Sequence, residues 1–276
     1  MSDNIVIGID IGGSHITAAQ IDLRSHSLIR DSLVRHPVDA KGTAEQVIRQ
    51  WTDAIVDCKA HGSTMSKKIG IAMPGPFDYH KGISFIKDLD KYESLYLLNI
   101  KEKLAKELEI EEEDIFMMND ASCFLKGEIF CGTAGDCVHV IGITLGTGLG
   151  SAAGNNGIII DGDLYYTPFK DGTAEDYLST RWFIKRYKEL TGITAQNVKD
   201  IRDRVPDGPE AILLFEEFGK NLGEVVAAYC KKHNAEKIII GGNIINAWEL
   251  FIHETQAFLS NHSIHALMVK AKLGEE

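Results

Sequence analysis

Three short stretches carry residue types that could do chemistry. Two are rich in glycine: Asp10-Ile11-Gly12-Gly13-Ser14 and Thr144-Leu145-Gly146-Thr147-Gly148. A turn of small residues exposes backbone N–H groups, and concave sets of such groups bind anions, phosphate above all. The third stretch, Asn119-Asp120, supplies a carboxylate. Two readings compete for it, because Asn and Asp are favoured helix N-caps and a carboxylate at the edge of a sheet can act as a general base. Two phosphate-type turns in the same chain favour the base.

The elements that must position these residues follow from the flanking pattern. From Ile7 and from Ile141 the chain runs apolar, Gly, apolar, hydroxyl or carboxylate, apolar, Gly. Each copy follows a β-branched run and returns into apolar residues, which predicts strand, tight turn, strand. Two such hairpins imply two similar lobes. The plainer alternative is a pair of ordinary hairpins that need glycine for positive φ, and the matched flanks disfavour it. A third strand is expected over 27–34 and an amphipathic helix over 43–58. A buried strand over 68–73 stops at Pro74-Gly75-Pro76. That loop is either a plain terminator or a rigid ligand loop at the carboxyl end of a strand. A helix over 99–108, a strand over 115–118 and a helix over 121–131 place Asn119 and Asp120 at a strand-to-helix junction.

After the second hairpin, a strand is expected over 158–160 and one helix over 173–190. Thr173 would cap that helix and Glu175 would sit in its first turn, where acids are favoured. The stretch 199–209 reads as polar and irregular. A long helix follows over 210–233, then a buried strand over 237–240 and a helix over 247–259. Gly241-Gly242 after that strand is either a tight turn or bare backbone for a flat ligand. Strands interleaved with helices make the fold class α/β.

A net charge of −11 with no dense Lys/Arg stretch argues against a nucleic-acid binder. The five cysteines lack paired spacing, so reduced thiols are expected rather than disulfides or a cysteine zinc site. No signal peptide or membrane-length apolar run is evident. A soluble, cytoplasmic protein is the expectation.

Together these stretches resemble the ROK family of sugar kinases, within the actin-like ATPase superfamily. The first phosphate motif is similar to Gly8-Ile9-Asp10-Ile11-Gly12-Gly13-Ser14, the sugar loop to Met73-Pro74-Gly75-Pro76, and the catalytic motif to Asn119-Asp120-Ala121 followed by Gly127-Glu128. The second phosphate motif is similar to Leu145-Gly146-Thr147-Gly148-Leu149-Gly150-Ser151, and the adenosine motif to Gly241-Gly242. The match runs in the family's order from Ile5 to Gly242.

The resemblance implies two actin-like lobes, 1–118 and 119–276, closing over a cleft. It implies Asp120 as the base that deprotonates a sugar hydroxyl, with Asn119 and the Gly75 loop beside the sugar. Gly12, Gly13 and Ser14, with Gly146, Thr147 and Gly148, would clasp the phosphates of ATP, and Asp10 would orient Mg²⁺ through water. Glu175 matches the family's sugar-binding glutamate. Where the family has Glu-Leu-Gly-His, this chain has Asp163-Leu164-Tyr165-Tyr166, so Asp163 and Tyr166 would reshape the sugar pocket. Asp171-Gly172-Thr173 stands in place of the Cys-rich zinc loop, so no zinc is expected and the glucokinases are the nearer comparison. The donor is ATP or polyphosphate, and a homodimer is the assembly common in the family. The chain ends at Glu276, where the family has one more helix, so a shorter or truncated protein is expected.

Two competitors remain. A non-catalytic sugar sensor on the same fold is motivated by Asp163 and Tyr166. A dinucleotide-dependent oxidoreductase could be read from Gly146-Thr147-Gly148-Leu149-Gly150, but that fingerprint needs a helix after the turn, and a strand is expected there.

Overall fold

A computed structural model of the protein describes residues 4–61, 66–89 and 91–273. Gly274-Glu275-Glu276, on which the expectation about a final helix partly rests, lie outside the described residues. The chain forms two compact units, Met1–Cys123 and Phe124–Glu276.

The first unit holds β1 (Ile5–Ile11), β2 (His15–Asp22), β3 (Ser27–Pro37), α1 (Ala44–His61), β4 (Ile69–Met73), α2 (Ile100–Leu108) and β5 (Ile115–Asn119). Its sheet order is β3-β2-β1-β4-β5. The first three strands are antiparallel neighbours, and β4 and β5 join β1 as parallel strands. Alternation along β1 turns Ile7, Ile9 and Ile11 into a core with Trp51 and Ile55 of α1 and Leu104 of α2. Thr43 and Gln46 cap α1 reciprocally (Gln46 N–H to Thr43 Oγ1, 3.3 Å; Thr43 N–H to Gln46 Oε1, 2.8 Å).

Helix α3 (Asp120–Phe130) leads into the second unit. There follow β6 (His139–Leu145), β7 (Leu149–Asn155), β8 (Ile158–Gly162), α4 (Ala174–Tyr177), α5 (Thr180–Thr191), α6 (Val198–Arg202), α7 (Pro209–His233), β9 (Lys237–Gly241), α8 (Trp248–Asn261) and β10 (Leu267–Lys270). The sheet order is β8-β7-β6-β9-β10, with the same succession of antiparallel and parallel neighbours as in the first unit. The sequence echo is therefore a repeated topology. One face of β6 (Ile141, Ile143, Leu145) packs in a core with Phe183, Phe215, Phe218 and Phe251. On the other face, Val140 shares a cluster with Leu125 of α3. Glu128 of α3 is fully buried, and its carboxylate accepts from Thr133 Oγ1 (2.6 Å) and from the N–H groups of Lys272 (3.0 Å) and Leu273 (2.8 Å).

Three expectations need correction. The helix expected over 173–190 is broken, with Ser179 extended (φ −132°, ψ 165°) between α4 and α5. The break arises because the Thr180 N–H and Oγ1 both donate to the Gly146 carbonyl, at 2.8 and 2.9 Å. The stretch 199–209 is not irregular throughout, because Asn197 caps the short helix α6 through the Asp200 N–H (2.9 Å). The first hairpin's partner, β3, runs on to Pro37 beyond the expected end at 34. Strand β10 was not foreseen, since Leu267–Lys270 is a short edge strand with only Met268 buried.

Among the described residues, no helix is long and apolar enough to cross a membrane. The thiols of Cys58 and Cys230 are buried, and burial pushes them up to about 11 and about 12.

Helices α7 and α8 meet at Gly219, where a Cβ would lie 2.3 Å from the Phe251 carbonyl oxygen and 2.9 Å from Glu254 Cβ. Gly219→Ala would gain about 1 kcal/mol of helix propensity but must push two backbones apart, an overpacking cost of about 1–3 kcal/mol. The cost is expected to win, so urea denaturation should show a lower midpoint for Gly219→Ala than for the parent; a higher midpoint would refute this account of the contact.

Candidate functional site

In the first unit, parallel pairing sets the register of three strand ends. Asp10 of β1 pairs with Ala72 of β4, and Ala72 and Met73 pair with Met118 and Asn119 of β5. The residues beyond those pairs are Gly12-Gly13-Ser14, Pro74-Gly75-Pro76 and Asp120. The first-unit candidates therefore share one edge of one sheet. Asp10 and Asp120 are both exposed there.

Tyrosines hold this edge in place. Tyr79 Oη donates to the Met73 carbonyl (3.0 Å) and accepts from Asn119 Nδ2 (3.2 Å), so it links the loop after β4 to the end of β5. A Cβ on Gly75 would stand 3.0 Å from that hydroxyl. Tyr92 Oη donates to the Gly12 carbonyl (2.5 Å), and its ring packs edge-on against Trp51. Burial pushes the Tyr92 phenol up to about 12. Neither tyrosine was singled out from sequence; each lies outside the glycine and acid motifs and acts through a neighbour.

The capping reading of Asn119-Asp120 is seen directly. The Ala121 N–H donates to Asn119 Oδ1 (2.9 Å) and to Asp120 Oδ1 (2.8 Å), so the pair does cap α3. With Asn119 sharing that bond, Asp120 keeps an exposed carboxylate at the junction.

The second unit repeats the plan. The Gly146 N–H donates to the Gly148 carbonyl (3.1 Å), closing the turn between β6 and β7. Gly241 of β9 is in register with Thr144, so Gly241-Gly242 leaves the sheet beside this turn. Gly242 has φ +90°, and a Cβ on it would lie 2.3 Å from the Leu145 oxygen. The tight-turn reading thus accounts for Gly242 by itself. By contrast, Gly12, Gly13, Gly146 and Gly148 all lie outside the positive-φ region, so the ordinary-hairpin explanation for them fails.

Glu175 does not cap its helix. Thr173 and Asp176 form the capping box of α4, and the Glu175 carboxylate reaches across to the turn. Its Oε2 accepts the Leu149 N–H (3.0 Å), and its Oε1 accepts from Arg181 Nη2 (2.5 Å). Thr147 stands at the tip of the same turn. Asp163 and Tyr166 line a cavity of about 440 Å³ with Phe169, Glu224, Tyr229 and Lys232, and none of Gly146, Thr147, Gly148 or Glu175 lines it. The Tyr166 phenol is raised, first by its hydrogen bond to Asp163. The Tyr165 phenol is raised by burial and then by the carboxylates of Asp163 and Glu175.

The model of the ROK family matches residues 6–165, more than half of the chain. The chain belongs to the ROK family. Among its relatives, a glucokinase of Thermotoga maritima is 23% identical, with 89% of this chain and 84% of the relative covered. An N-acetyl-D-glucosamine kinase of Mannheimia succiniciproducens is 25% identical, with 98% and 95% covered. The crystal structure of a ROK hexokinase from Thermus thermophilus superposes with a TM-score of 0.80 at 20% identity, covering 99% of this chain and 94% of that one. The fold of this ROK chain is accordingly the actin-like one.

Among the described residues, no three His, Cys, Asp or Glu side chains are grouped to hold a metal ion. Mg²⁺ keeps most of its waters and is held by one or two carboxylates together with substrate phosphates. Asp10, exposed at the end of β1, is the carboxylate of this ROK protein suited to that part.

Removing the Tyr92 hydroxyl tests what holds the first turn. Tyr92→Phe keeps the ring and loses the bond to Gly12, so urea denaturation near neutral pH should show a loss of about 1 kcal/mol. The sign in alkali follows from linkage. The native phenol titrates near 12 against an ordinary 10.0, so its contribution is complete below pH 10 and is lost as pH rises toward 12. Stability should therefore fall less steeply over that window in Tyr92→Phe than in the parent. An unchanged slope would show that burial does not hold the phenol protonated, and an unchanged stability near neutral pH that the hydroxyl does not anchor the turn.

Proposed function

We propose that this chain is a sugar kinase, transferring the terminal phosphoryl group of ATP or polyphosphate to a hydroxyl of a hexose. One observation carries the reading: Asp10, the Gly75 loop and the Asn119-Asp120 junction leave three adjacent strands at one sheet edge, beside the Gly12–Ser14 turn. The activities of two relatives, a glucokinase and an N-acetyl-D-glucosamine kinase, support it.

Asp120 is the general base. Its exposed carboxylate takes the proton from the attacking hydroxyl, and its bond to the Ala121 N–H fixes one oxygen so that the other faces substrate. Asn119, oriented by Tyr79, and the loop at Gly75 hold neighbouring hydroxyls. Glu175 contacts the sugar; Asp163 and Tyr166, which line a cavity that Glu175 does not, take no part in this reading. Backbone N–H groups at Gly12, Gly13 and Ser14, and at Gly146, Thr147 and Gly148, take the donor's phosphates, while the turn at Gly241 and Gly242 lies beside the adenosine. Mg²⁺ supplies charge neutralisation when bound, and Asp10 holds it through water. Such a site meets the needs of phosphoryl transfer, which are positioning and electrostatics.

An assay over glucose, N-acetylglucosamine and mannose tests the proposal, reading ADP with ATP as donor and sugar phosphate with polyphosphate as donor. Turnover is expected with at least one hexose. Asp120→Asn should keep its fold, because Asn119 still caps α3, and lose about 10²–10⁴-fold in kcat, the usual scale of a general base. Parent-like turnover in Asp120→Asn would remove the residue from the mechanism. Sugar binding with no sugar phosphate from any pair would make the protein a sugar sensor.

A further inference from the structure

The turn at Gly146–Gly148 already carries an oxyanion, and it comes from the chain itself. One oxygen of Glu175 accepts the Leu149 N–H (3.0 Å) and the other accepts from the Arg181 guanidinium (2.5 Å). A Cβ on Gly148 would lie 2.6 Å from the first oxygen, so glycine here leaves room for that oxygen against the backbone. A single carboxylate thus bridges a backbone N–H of the turn and a cationic fork. These two donors are spaced to share one small oxyanion group, and a phosphate offers the same pair of oxygens with more charge. Arg181 also has the means to exchange. Its side chain is 68% exposed, and exposed ion pairs hold their partners weakly, whereas guanidinium–phosphate contacts are charge-assisted and often two-pronged.

We infer that Arg181 is a phosphate ligand of the second turn, and that Glu175 occupies its place until a phosphate chain displaces it. This rests on the kinase reading for one step only, the identity of the displacing group as the donor's phosphate chain. Under that reading the exchange also orders events, because a sugar that draws Glu175 toward its hydroxyls frees both the Leu149 N–H and Arg181. Arg181 is a positioning and charge-neutralising ligand in this scheme. No covalent step is assigned to it.

Calorimetric titration of the sugar-free full chain with inorganic tripolyphosphate, and separately with Mg·ATP, tests the inference. Glu175→Ala removes the internal competitor and should tighten at least one of the two about tenfold; the capping box of Thr173 and Asp176 keeps α4 in place in that variant. Arg181→Gln should weaken the same ligand about tenfold. Tightening of both ligands by Glu175→Ala supports recognition of the phosphate chain alone; tightening of Mg·ATP only supports recognition of the chain as part of a nucleotide. Unchanged or weaker affinity for both ligands in Glu175→Ala would overturn the inference, as would unchanged affinity in Arg181→Gln. If the affinities move as expected but no sugar is phosphorylated with either donor, the kinase reading falls and the exchange stands. If ADP forms normally and neither variant changes phosphate affinity, the exchange alone falls.

Discussion

Everything proposed for the first unit depends on the in-register parallel pairing of β1, β4 and β5. Parallel strands end on the same side, so the residues just past each pairing are delivered to one edge without any contact between them in sequence. Asp10, Gly75 and Asp120 are far apart along the chain and neighbours along that edge. A slip of one residue in β5 would exchange the faces presented by Met118 and Asn119. The buried residues Ile69, Ile71, Ile115 and Met117 hold the register from below.

The repeated order of strands shows why two glycine stretches recur. In both units a hairpin is followed by parallel strands, which places the hairpin's turn at the edge where those strands end. A turn in that position exposes N–H groups beside whatever the strand ends carry. In the first unit that is a pair of carboxylates and a proline-framed loop. In the second it is a glycine pair and the start of α5, whose Thr180 binds the turn's own carbonyl.

Much of this was legible from residue order, and the rest was hidden for identifiable reasons. The hairpins could be read because period-two apolar runs flank each turn, and the strand-to-helix junction at Asn119 because capping residues mark it. The interruption after Tyr177 could not, because the helical periodicity continues through Thr180 and only a distant carbonyl at Gly146 breaks it. Tyr79 and Tyr92 escaped notice since a lone tyrosine carries no spacing signal; their value lies in two carbonyls and one amide that the fold brings to them. Glu175 was read as a helix-start acid beside the family's sugar glutamate, and its contact with the Leu149 N–H needed coordinates. Positive φ, the plainer and disfavoured explanation for the turn glycines, applies to none of Gly12, Gly13, Gly146 and Gly148.

The cysteines give this arrangement a practical corollary. Cys58 and Cys230 are sealed in the two cores and hold their protons well into alkali, so thiol-directed dyes would react with them slowly. Cys123, Cys131 and Cys137 are partly accessible. Cys123 lies one helical turn from Asp120 on α3, which makes it a native attachment point for a fluorophore beside the junction where chemistry is proposed.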